Sequence, residues 1–148
     1  MRKSRLTIIC FLVSLTAAWT LPAGAETRQT LDGNWIGRMH LRNGPINLNI
    51  NHELKMKIRQ TWPRLIIEEA ENEHGKLFVT EAWLRFSDVH SPLEFDVEMY
   101  EFVQDHYYHF TLTGNVVNDN LIQGDAVQTF DDSPHFTNDG EFILVRDQ

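Results

Sequence analysis

Between Ile46 and Ile58 the residue pattern leaves the backbone little choice. Ile46, Leu48, Ile50, Leu54, Met56 and Ile58 are apolar and even-numbered, whereas Asn47, Asn49, Asn51, Glu53, Lys55, Lys57 and Arg59 are polar and odd-numbered. A period of two places each set on its own side of a β-strand, one side buried and the other wet. His52 is the one polar residue in the even-numbered set. Either one long bent strand runs through it or a hairpin turns there. A three-residue turn would pair Ile50 with Leu54 and keep the faces consistent, whereas a two-residue turn would put Ile50 beside Glu53.

The same alternation recurs downstream. Leu93, Phe95, Val97 and Met99 interleave with Glu94, Asp96 and Glu98, and Tyr108, Phe110 and Leu112 with Tyr107, His109 and Thr111. Trp35, Met39 and Leu41 share one face of the first run, and Phe78, Ala82, Leu84 and Phe86 are expected to share another. Turn-forming residues separate the runs at Asn43-Gly44-Pro45, 72–75, 87–92, Asn118-Asp119-Asn120 and 131–140. No stretch carries a helical period. The pattern predicts eight or nine strands, near 31–41, 46–50, 54–60, 64–71, 76–86, 93–102, 106–115, 121–130 and 140–146. Strands joined in order by short turns form an up-and-down antiparallel sheet, which leaves two reactive edges unless it closes. Eight strands close into a barrel whose interior holds side chains or one small ligand. An all-β barrel is therefore the expected fold, with a two-sheet sandwich as the alternative.

The amino terminus reads as a targeting segment. Arg2, Lys3 and Arg5 precede an apolar run from Leu6 to Trp19, then Pro22 and the small-x-small triplet Ala23-Gly24-Ala25. The run falls short of the roughly 20 apolar residues of a spanning helix. A signal peptide over 1–25 and a single domain over 26–148 are expected, with no membrane span once the signal is removed. The mature chain would carry ten lysines and arginines against 21 aspartates and glutamates. That surplus repels a phosphate backbone, so nucleic acid is not an expected partner. Cys10 leaves with the signal, which removes any disulfide within one mature chain. A periplasmic or secreted location follows from this reading.

Two short motifs at the chain ends resemble a known group. Gly33-Asn34-Trp35 lies on the first expected strand, and Gly140, Phe142, Leu144 and Arg146 lie on the last. This is similar to the calycin barrels: lipocalins, fatty-acid-binding proteins, avidins and short bacterial lipocalin-like domains. There a Gly-x-Trp opens the first strand and a late arginine packs across that tryptophan at the closed end. The resemblance gives these structural roles to Gly33, Trp35 and Arg146. The hairpin from Gly114-Asn115-Val116 to Leu121-Ile122-Gln123-Gly124 is similar to one in the short bacterial domains. The chain departs from lipocalins in lacking their Thr-Asp-Tyr motif and their disulfide.

Catalytic and metal chemistry find little support in the spacing. His106 and His109, three apart on a strand, point to opposite faces. No closely spaced histidine, cysteine or carboxylate set of the kind zinc uses is present, and Asp131, Asp132 and Asp139 lack the spacing of a calcium loop. Ser87, Ser91 and Ser133 stand in turns without a nucleophile motif. Glu68, Glu69, Glu71 and Glu73 read as a solvated face opposite Lys55, Lys57 and Arg59. No enzyme activity, metal or other cofactor is expected. The lumen is the remaining site. Met56, Phe95 and Met99 would line it, with His52, Tyr108 and Gln128 as polar handles. The expected function is non-enzymatic holding of a small apolar or amphipathic ligand. The alternative is a protein-binding module, such as a barrel-type inhibitor of a secreted enzyme. An open lumen favours the first, and a filled lumen with an exposed apolar rim favours the second. Intact-mass analysis of the exported protein is expected to find a chain beginning at Glu26; a chain that retains residues 1–25 would overturn the export reading.

Overall fold

Nine strands account for most of the residues that the computed structural model describes, 30–43, 48–61, 64–86, 93–131 and 136–148. The targeting segment expected at 1–25 lies outside these residues. The strands are β1 (Gly33–Asn43), β2 (Leu48–Thr61), β3 (Arg64–Asn72), β4 (Gly75–Lys76), β5 (Phe78–Phe86), β6 (Leu93–Val103), β7 (His106–Asn118), β8 (Leu121–Phe130) and β9 (Thr137–Arg146). Each pairs antiparallel with its neighbour, and β1 also pairs with β9, which closes an eight-stranded up-and-down barrel. The two-residue β4 is an extra hairpin partner for β3. No helix among the described residues is long and apolar enough to cross a membrane.

The alternation from Leu48 to Thr61 belongs to one strand. Residues 46–50 and 54–60, expected as separate strands, are the two parts of β2, and no turn occurs at His52. Its even-numbered side chains from His52 to Ile58 are all buried. Three register shifts, at Lys57/Ile58, Val79/Glu81 and Val116/Asn118, bend the sheet. An extra residue in one strand of a pair raises the local twist that closure needs. The shift in β5 also reverses which side chains point in. Leu77 is buried and Val79 partly so; beyond the bulge Ala82 and Leu84 take the inner face. Phe78, expected on one face with Ala82 and Leu84, therefore stands on the outer wall, stacked on Tyr100 at 5.2 Å between centroids.

One end of the barrel is shut by the residues before β1. Leu31 is fully buried and its carbonyl accepts the indole N–H of Trp35 at 2.9 Å. Gln60 Oε1 accepts the Leu31 N–H at 2.9 Å, and Asp32 Oδ1 accepts the Gln60 N–H. Arg146 lays its guanidinium 4.8 Å from the Trp35 ring centre and donates to the carbonyls of Thr30, Asp32 and Asp119. Gly33 has a positive φ of 135°, and a Cβ there would stand 3.0 Å from the Arg146 guanidinium. The β1–β9 seam is equally tight: a Cβ on Gly37 would lie 1.8 Å from the Ile143 carbonyl oxygen, and one on Gly140 1.8 Å from that of His40.

Between this end and the middle of the barrel the interior is filled. Trp35, Met39, Leu54, Phe95, Phe110, Leu112, Ile122 and Leu144 have essentially no exposed surface. Trp35→Ala is expected to cost about 3–5 kcal/mol in denaturant melts, the range for a large core aromatic. A loss under about 1 kcal/mol would mean that Trp35 does not anchor the closed end.

Candidate functional site

Polar side chains enter the barrel interior at the end away from Trp35. The inward phase of β2 continues from Leu54 to His52, that of β6 from Met99 to Glu101, and that of β8 from Ala126 to Gln128. On β9 the inward residue at this level is Asn138. All four are buried. Buried polar groups need partners, and most here have them. Asn138 Nδ2 donates to Gln128 Oε1 at 2.7 Å, and Asn72 Nδ2 donates to Glu101 Oε2 at 2.5 Å.

His52 is the exception. Its Nδ1 lies 2.6 Å from Glu73 Oε1, while Nε2 is buried with no hydrogen-bond partner. Glu73 Oε2 also accepts the backbone N–H of Glu53 at 3.0 Å. Partial burial works against the charged form of Glu73. Hydrogen bonds from the backbone and His52, with the nearby charges of His52 and His74, outweigh it and hold the carboxyl below its ordinary value. An ionised carboxylate only accepts, so Nδ1 of His52 carries the hydrogen. In the neutral ring Nε2 then keeps an unshared lone pair.

His52 contributes to the wall of a cavity of about 190 Å³, together with Ile50, His74, Glu101, Val103, Tyr108, Gln128 and Phe130. Tyr108 and Phe130, half-buried, meet edge to face at 5.3 Å. The cavity thus brings together His52, Tyr108 and Gln128, the three polar handles expected from the sequence. It does not bring in the apolar set. Met56 sits opposite Trp35 and Ala70, Met99 opposite Phe110, and Phe95 at 6.0 Å from Phe142, all packed in the core rather than on the cavity wall. A wider groove of about 740 Å³ runs over the outer wall past Arg38, Asn115 and Gly124. It gathers no buried, unpartnered polar atom among the described residues.

Glu101 and His74 are parts of this corner that the sequence reading did not assign to a site, and Glu73, expected on a solvated face with Glu68, Glu69 and Glu71, instead turns to the buried His52. Glu101 had a signal, because it continues the inward phase of Leu93, Phe95, Val97 and Met99. Glu73 and His74 form the turn between β3 and β4, where alternation carries no information. The other expected charge pairs do form on the outer face: Lys55 with Glu71 at 3.2 Å, and Lys57 and Arg59 with Glu68 at 3.2 and 3.1 Å. Nitrogen-detected NMR is expected to show the neutral ring of His52 as the Nδ1–H tautomer. Glu73→Gln should release that preference; a dominant Nε2–H form in the parent would contradict the assignment. Compared with protein-family models and with curated protein sequences, the chain matches none.

Proposed function

We propose that this protein is an exported, non-enzymatic barrel of calycin type that binds a small amphipathic ligand at the end away from Trp35. The seam of Trp35 and Arg146 supports the calycin reading. The observation that carries the ligand reading is the unpartnered Nε2 of His52 in the wall of a cavity where Ile50, Val103, Tyr108 and Phe130 supply apolar surface beside His74, Glu101 and Gln128. A buried polar atom without a partner costs about 1–3 kcal/mol, and a ligand that donates a hydrogen bond to it recovers that cost. The cavity is smaller than the roughly 300–1,000 Å³ of drug-sized sites. It suits a small molecule, or the end of a longer one whose remainder stays outside. With the lumen filled below Leu54 and Phe110, the ligand does not reach Met56, Phe95 or Met99.

A fluorescent analogue of a medium-chain alcohol tests this. It is expected to bind with a micromolar dissociation constant, about −8 kcal/mol. Val103→Trp places a ring at the half-exposed edge of the cavity and should abolish binding without changing the melting temperature by more than a few degrees. Failure of the analogue to bind the parent, or equal binding to the Val103→Trp variant, would reject the ligand reading.

A second reading rests on the outer wall. Phe78, Tyr100, Phe102 and Tyr107 form a run of ring contacts across β5, β6 and β7, with centroids 4.7 to 5.9 Å apart. Phe78, Phe102 and Tyr107 are exposed. A filled lumen beside exposed aromatics supports a protein-binding module, in which these rings would be the contact.

A further inference from the structure

Beside the cavity, three side chains of metal-binding type converge from two elements. One donor atom each from His52, Glu73 and His74 falls within 4.8 Å of the others. Glu73 Oε1 is central, 2.6 Å from His52 Nδ1 and 3.8 Å from His74 Nε2. On its other side His74 Nδ1 lies 3.5 Å from Glu101 Oε2. At this distance the Glu101 carboxylate favours a hydrogen on Nδ1 by its charge, which leaves the lone pair of His74 on the nitrogen that faces Glu73. A carboxylate behind a histidine is how proteins fix the tautomer and direction of a metal-bound ring.

The local structure holds these groups in place. Asn72 Oδ1 accepts the backbone N–H groups of His74 and Gly75 at 2.9 and 3.1 Å, and its Nδ2 bonds Glu101. One side chain thus fixes the turn and ties it to β6. Gly75, with φ of 132°, supplies the conformation in which other residues are strained. The His52 ring stands edge-on to both Phe110, at 5.5 Å, and His74, at 5.6 Å. It is 4 % exposed and keeps Nε2 without a partner. The charge balance also favours a cation. Glu73 and Glu101 meet in one corner, and among the described residues neither is ion-paired with a lysine or arginine.

We propose that His52, Glu73 and His74 form a binding site for a divalent transition-metal ion of the zinc type, with Glu101 positioning His74. Two imidazoles and a carboxylate suit zinc and its neighbours, whereas calcium and magnesium take oxygen ligands. Ligand atoms bonded at about 2.0–2.2 Å to one tetrahedral ion stand roughly 3.3 Å apart. The ion takes the place of the hydrogen that His52 Nδ1 shares with Glu73, which passes to solvent, so the 2.6 Å pair opens toward this spacing while the exposed His74 turn, 3.8 Å from Glu73, closes toward it. Three protein ligands leave a fourth position for water or for a group held in the adjacent cavity. The site needs no occupant of that cavity, so it stands apart from the ligand reading.

Calorimetric titration of the EDTA-treated, exported protein with Zn²⁺ tests the proposal. One ion per chain should bind with a micromolar or tighter dissociation constant. His74→Gln and Glu73→Gln should each weaken it at least tenfold, a typical loss for a ligand or its support. His109→Gln should leave it unchanged, although His109 Nε2 also meets a carboxylate, Asp131, at 2.7 Å. Bound Co²⁺ should show the visible absorption of a four-coordinate site, absent in His74→Gln. The Val103→Trp variant should still bind zinc, which separates failure here from failure of the ligand reading. No saturable binding up to millimolar zinc, or the same affinity in His74→Gln as in the parent, would overturn the site.

Discussion

The stacking of Arg146 on Trp35 is where the two ends of the chain become one structure. Trp35 belongs to β1 and Arg146 to β9, and the two residues are direct register partners. A guanidinium over an indole face gains cation–π attraction, more so when both groups are withdrawn from water. Arg146 also donates to three carbonyls: Thr30 and Asp32 in the segment under the barrel, and Asp119 in the β7–β8 turn. Closure then propagates. Because β1 is pinned on both sides, by β2 and β9, no strand on this side of the barrel offers an edge. The weak link lies opposite, where β3 and β5 share only the Arg64–Trp83 pairing. Local opening, if it occurs, starts there rather than at the seam.

Shutting one end with apolar bulk determines what the other end can be. A packed interior has no polar acceptors to spare, so polar groups that point inward must find each other or water. They are gathered in one layer: Gln128 with Asn138, Glu101 with Asn72, and His52 with Glu73. Above the core these pairs act as a polar collar. The collar lies on strands whose positions are already set by the hydrogen-bond ladder, while Glu73 and His74 approach it from a turn. Rigid and adjustable ligands thus stand on opposite sides of one small space.

How much of this was legible in the sequence depends on the kind of signal. Strand alternation identified the fold because burial acts on every second residue, and it placed His52, Tyr108 and Gln128 on the inner face. It failed where the phase changes. Phe78 follows the apolar pattern of its run, but the bulge before Glu81 turns it outward, and nothing in Leu77-Phe78-Val79-Thr80 announces an extra residue. The β6–β7 turn was equally silent. Gln104 and Asp105 both have positive φ, 52° and 66°, in the geometry of a tight hairpin usually marked by Asn-Gly. Met56, Phe95 and Met99 were correctly placed inside, yet alternation gives a face and not a depth. Glu73 and His74 come together with His52 across 21 residues of chain. No local spacing rule reaches that far.

The cavity's size and walls together restrict what it can hold. Apolar walls alone would leave a space of about 190 Å³, half open to solvent as this one is, poorly wetted. Polar groups on its wall instead make hydration favourable, and the volume corresponds to roughly six waters at about 30 Å³ each. Any ligand therefore competes with hydration of this wall. A purely apolar molecule would exclude water from the cavity and return nothing to Nε2 or to the carboxylate. A molecule with one polar end can satisfy the collar while its apolar part rests on Ile50, Val103 and Phe130. The same argument holds for an ion, which would give two histidines and a carboxylate one strong common partner. In both cases selectivity comes from the collar and not from the filled core beneath it.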